Sequence, residues 1–129
     1  MRYRKLVTAL IILASPAAFS QQLGTFQGKW SGTMKGKGGG DNMLELTIGE
    51  AGGTWHMKAE GNRGRGNACF GRDFPVVVTP KSPSEVSIEI KGAQILQGCI
   101  DATGVLKLVD GKAIEGSLAN GQTFTLTRR

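Results

Sequence analysis

Two glycine-rich stretches hold the residues best suited to chemistry. They are KGKGGGDNM at 35–43 and GNRGRGNACFGR at 61–72, and they carry Lys35, Lys37, Arg63, Arg65 and Arg72. Cationic side chains set among accessible backbone N–H groups can hold a sulfate, phosphate or carboxylate. The glycines also have a plainer use, because irregular loops need Gly and Asn to reach φ > 0. GKGGGD is followed by no helical pattern, so it lacks the helix N-terminus of a phosphate cradle. GNRGRG is too short and too irregular for an RNA-binding arginine–glycine tract.

Catalytic and metal chemistry find little support. His56 is the only histidine. It alternates with Trp55 and Met57, which places it on the outer face, and nothing marks a nucleophile for a Ser-His-Asp arrangement. One histidine and two cysteines cannot furnish an ordinary zinc site. Asp41 alone does not make a calcium loop, which needs several oxygen ligands in alternation. The carboxylates are scattered over outward positions. The expectation is a non-enzymatic protein with no catalytic residue, no metal and no cofactor. Cys69 and Cys99 form no C-x-x-C motif and are expected to pair.

That pairing depends on the compartment, and the N-terminus indicates one. MRYRK is basic, LVTALIILA is a short apolar run, and SPAAFS offers Ala18 and Ser20 at the −3 and −1 positions of a cleavage site. The run is shorter than the ~20 residues that span a bilayer. No cysteine stands at the cleavage point, which argues against a lipoprotein. The expected organisation is a signal peptide at 1–20 and one domain at 21–129, exported to the periplasm or beyond, with no membrane span in the mature chain. Of 16 Lys and Arg residues, those at 2, 4 and 5 leave with the signal, so 13 cations face 10 Asp and Glu. The whole-chain net charge of +6 therefore overstates the basicity, and export argues against nucleic acid as a partner.

The elements that must position these residues are strands. Apolar and polar residues alternate with period two nearly throughout. Phe26, Gly28, Trp30, Gly32 and Met34 share one face; so do Leu44, Leu46 and Ile48; Trp55 and Met57; Val86, Ile88 and Ile90; Ile114, Gly116 and Leu118; and Phe124, Leu126 and Arg128. KGAQ, VDGK and ANGQ are hairpin turn signals. LQGCI at 96–100 shares its pattern with IEGSL at 114–118, so it is predicted as a strand with Gly98 inward and Cys99 outward. The segment FPVVVTP at 74–80 has strand-forming valines between prolines. The fold class is all-β: an antiparallel up-and-down meander, closed as a barrel or curled as a sandwich, of eight strands or, with 74–80 counted, nine. Connections alternate between the two ends of such a sheet. The loops at 35–43 and 61–73 therefore rim one mouth.

GKWSG at 28–32 resembles the G-x-W motif of the calycin superfamily, which includes lipocalins and avidins. In that group a basic residue of the last strand packs across the tryptophan at the closed end. The resemblance implies that Arg128 covers Trp30. No biotin-site pattern is present. The chain is also similar in size, motif and single disulfide to a bacterial family of metalloprotease inhibitors. That family inserts its N-terminal segment into the protease, whereas here only QQLGTF precedes the first strand.

A barrel of eight strands is either filled by its side chains or holds one small ligand. The bulk of Trp30, Trp55, Phe74 and Phe124 favours a filled interior, while Gly28, Gly32, Gly98 and Gly116 could leave space. The expected function is an exported binding protein that meets a macromolecule or an anionic surface polymer with its basic loop end. Carriage of a small apolar ligand inside the barrel, or inhibition of a secreted hydrolase, is the alternative.

Overall fold

A computed structural model describes residues 23–35, 40–59 and 68–129. The predicted signal at 1–20 lies outside them, as do Lys37, Arg63 and Arg65.

The fold is a closed antiparallel barrel in which each strand pairs with its neighbours in sequence and the last pairs with the first. The strands are β1 (Gly28–Lys35), β2 (Asp41–Gly49), β3 (Gly52–Ala59), β4 (Asp73–Ser82), β5 (Glu85–Ile90), β6 (Ala102–Val109), β7 (Ala113–Leu118) and β8 (Thr123–Arg128). Closure runs through Trp30 opposite Arg128 and Met34 opposite Phe124. It satisfies every strand edge, which an open sheet of these short strands could not do.

The strand count is eight, with a different membership from either sequence count. FPVVVTP is a strand, continuous from Asp73 to Ser82, with a register shift between Pro80 and Ser82. The ladder tolerates Pro80 because it sits beside that irregularity. LQGCI is not a strand. KGAQ does not form a tight hairpin turn: Gly92–Gln94 is a single 3₁₀ turn, and the chain stays irregular until Ala102. Gly98 takes φ 95° in this connection rather than facing inward on a ladder. Cys99 is buried rather than outward, at 5% exposure. Period two over five residues is too short to fix a strand: here Leu96 is half-buried and Cys99 buried while Gly98 and Ile100 are exposed, so residue type alternates and burial does not.

The core is the inward file of every strand. Trp30, Leu44, Leu46, Val86, Leu106, Ile114 and Leu126 are fully enclosed. The Phe124 ring meets Trp55 edge-on at 5.4 Å and 77°. It also occupies the space above Gly116, where a Cβ would lie 2.1 Å from two of its ring atoms. A single helical turn at 23–26 brings Phe26 beneath the barrel with no exposure, and Trp30 Nε1–H donates to the Phe26 carbonyl at 2.8 Å.

Candidate functional site

Strand direction assigns the ends. Lys35 closes β1 and Asp73 opens β4, so the connections at 36–40 and 60–72 leave the barrel at the same end. The connections at 91–101 and 119–122 join them there. By sequence alone those four connections carry Lys37, Arg63, Arg65, Arg72 and Lys91 with Glu60 and Asp101, an excess of three positive charges, of which Arg72, Lys91 and Asp101 are among the described residues. The opposite end has the tight turns at 50–51, 83–84 and 110–112, the short segment before β1 and the C-terminal Arg129.

Two of the five predicted cations are described. Lys35 is exposed, and its carbonyl accepts from Gln122 Nε2 at 3.2 Å, which links the first strand to the last connection. Arg72 is exposed, and its Nε–H donates to the Ala68 carbonyl at 2.8 Å, folding the turn at 68–72 on itself. These two residues share an end, but Lys35 closes β1 and Arg72 lies just before β4, with β2 and β3 between those strands. Lys91 pairs with Glu89, and that carboxylate raises the ammonium's pKa through the hydrogen bond between them.

The disulfide joins two of the connections. Cys69 and Cys99 are bonded, with Cα atoms 5.8 Å apart. Beside the bond the connection at 91–101 is held by further contacts. Asp101 Oδ1 accepts from the Ala93 N–H at 3.1 Å, and the Cys99 N–H donates to the Leu96 carbonyl at 3.1 Å. Two large apolar residues of the same connection point outward: Ile95 is 42% exposed and Ile100 81%. Sequence reasoning missed this pair, because reading 96–100 as a strand left no reason to ask what Ile100 faces.

At the closed end Arg128 lies over the Trp30 ring, 4.2 Å from its centroid. Its two terminal nitrogens donate to the Gln27 carbonyl at 2.7 Å and the Thr25 carbonyl at 2.9 Å. The guanidinium therefore fastens the chain just before β1 to the last strand, and its role is structural.

On the outer wall His56 Nδ1 lies 2.7 Å from Asp73 Oδ1, since the β3–β4 register sets these residues opposite one another. Among the described residues no group of three or more His, Cys, Asp and Glu could hold a metal ion. One outer depression is lined mainly by polar side chains, among them Thr33, Ser117, Thr123 and Thr125 beside Lys107 and Glu115. Among the described residues no helix is long and apolar enough to cross a membrane.

No protein-family model matches the chain, and no curated protein matches it. Solved structures match its fold. A redesigned β-barrel shares 19% identity with a TM-score of 0.55, over 84% of this chain and 95% of that one. Another redesigned barrel, mFAP1 bound to DFHBI, shares 16% identity with a TM-score of 0.51, over 84% and 100%. A third structure, EF1p2_mFAP2b bound to DFHBI, shares 16% identity with a TM-score of 0.53, over 87% and 98%.

Proposed function

We propose that this is an exported, non-enzymatic binding protein that engages a macromolecular partner with the loop end of its barrel. The observation that carries the reading is the contrast between a packed interior and that end. Phe124 and Trp55 occupy the space a ligand would need. The loop end gathers four connections, an excess of positive charge, and exposed apolar residues beside a disulfide. Binding and catalytic residues concentrate on loops carried by a rigid scaffold. An exported compartment, read from the N-terminal sequence, is consistent with a disulfide. The Arg128–Trp30 stack supports calycin-like ancestry for the barrel.

The test is the triple substitution Arg63→Ser, Arg65→Ser and Arg72→Ser in the mature protein. It should leave the melting temperature unchanged and weaken binding to exported proteins of the source cells or to an anionic polymer such as heparin. Wild-type binding should fall as salt rises, because exposed charges are screened. Undiminished binding by the triple variant would remove the loop end as the contact surface.

A second reading has one observation in its favour: two of the structural neighbours are bound to DFHBI. In that reading the barrel opens around a small apolar ligand. Native mass spectrometry of protein purified from its own host would show such a ligand as retained mass.

A further inference from the structure

We infer that Asn120 is a deamidation site of this chain, whose side-chain amide is held back by the folded β7–β8 turn and is lost as ammonia when that turn opens. The inference does not depend on the function proposed above.

Residues 120–121 are Asn-Gly, and asparagine is among the chemically labile residues. A following glycine has no Cβ, so its backbone nitrogen can reach the asparagine Cγ. Once that nitrogen has given its proton to base, it bonds to Cγ, the Cγ–Nδ2 bond breaks, and Nδ2 leaves as ammonia. Water then opens the five-membered imide. Cleavage of the new N–Cγ bond gives aspartate at 120. Cleavage of the bond to the Asn120 backbone carbonyl carbon gives isoaspartate. Water is consumed and ammonia released, with no oxidation or reduction.

Asn120 and Gly121 are exposed, so burial does not keep water and base away. The fold withholds the geometry instead. Gly121 N–H donates to the Leu118 carbonyl at 3.0 Å, and Leu118 N–H donates to the Gln122 carbonyl at 2.8 Å. With Gly121 at φ 92°, this is a three-residue hairpin loop closed by a left-handed glycine. The attacking nitrogen is committed to Leu118. The carboxamide is committed at both of its atoms to Gln122. Oδ1 accepts from the Gln122 backbone N–H at 2.9 Å, and Nδ2 donates to Gln122 Oε1 at 2.8 Å. Two further bonds tie the turn to other strands. Ala119 N–H donates to the Thr103 carbonyl of β6 at 2.9 Å, and Gln122 Nε2 donates to the Lys35 carbonyl of β1 at 3.2 Å. Reaction needs the bonds to Leu118 and Gln122 broken together, so it draws on locally opened molecules. The product cannot close the turn as before. Aspartate has no Nδ2 for Gln122 Oε1, and isoaspartate adds a methylene to the backbone before Gly121.

The experiment incubates the purified protein in warm, mildly alkaline buffer, folded in one arm and unfolded in guanidinium chloride in the other. Peptide mapping follows aspartate and isoaspartate at 120. Conversion in the unfolded chain should be faster by about ten-fold or more. Gln122→Ala keeps the Asn-Gly pair but removes Oε1 and the tie to Lys35. It should speed conversion in the folded protein by about five-fold, with no gain in guanidinium chloride; a melting curve shows that the variant is folded. Hydrogen exchange at the Gly121 N–H reports turn opening in the wild type without any substitution, and the slowing of conversion should track that protection. Equal rates in the folded and unfolded chains would overturn the inference, as would no conversion at 120 in the unfolded chain, or slowing unrelated to the Gly121 exchange. A folded Gln122→Ala protein that converts no faster than wild type would overturn the hold by Gln122.

Discussion

Arg128 and Arg129 are adjacent and chemically identical, yet the structure gives them different work. Arg128 stacks on the buried Trp30 ring and donates to two carbonyls of the chain before β1. Arg129 makes an exposed ion pair with Glu45 at 3.0 Å, a kind of contact worth well under about 1 kcal/mol. Arg128→Ala should cost about 1–3 kcal/mol from the lost cation–π contact and charged hydrogen bonds, and it should shift the tryptophan emission. Arg129→Ala should do neither, as thermal melts and fluorescence would show. Gly116 gives a second residue-scale prediction. An alanine methyl there must displace the Phe124 ring, which is already packed on Trp55. Gly116→Ala should therefore destabilise by about 1–3 kcal/mol, measured by urea denaturation. An unchanged midpoint would mean that the interior has room to yield.

Among the elements, the connection at 91–101 stands apart from the hairpins around it. It has little regular structure and is held to the barrel by Cys99, the side chain of Asp101 and the close approach at Gly92. Thiol titration of the unfolded, unreduced protein should find no free thiol. The double change Cys69→Ser and Cys99→Ser should lower stability by roughly 3–4 kcal/mol, as expected for a bond with a sequence separation of 30. The strands should persist by circular dichroism, because the ladder closes through β1 and β8 without the bond. Binding at the loop end should fall more than the strand content does, since the bond joins two of its connections.

The whole molecule is a closed barrel whose designed structural neighbours include two bound to DFHBI. Likeness of fold does not carry that property across, because function belongs to the site and not the scaffold. In this chain Trp55, Phe124 and Trp30 fill the inside. Equilibrium dialysis against DFHBI should therefore show no uptake by the wild-type protein. Stoichiometric uptake would mean that the interior opens, and would favour the carrier reading over the loop end.

Alternation alone determined most of the barrel, because a residue's face is a local property with period two. It identified the inward files of β1, β2, β5, β7 and β8, the pairing end for loops 35–43 and 61–73, and the outward side of His56. The pairing of the two cysteines was expected from sequence, and the structure shows the Cys69–Cys99 bond. The Arg128–Trp30 contact was expected from resemblance, not from spacing. Only the tertiary structure decided that 74–82 is a strand and 96–100 is not. Pro80 in the first is admitted by a ladder irregularity, and the alternation of the second is one of residue type only, since Cys99, expected outward, packs inward while Ile100 stays in water. Neither fact is local: each depends on which strand lies beside the segment, and the choice of neighbour is made by long-range closure. The same holds for the exposed Ile100, whose neighbour Cys99 is bonded to Cys69, 30 residues before that cysteine in the chain.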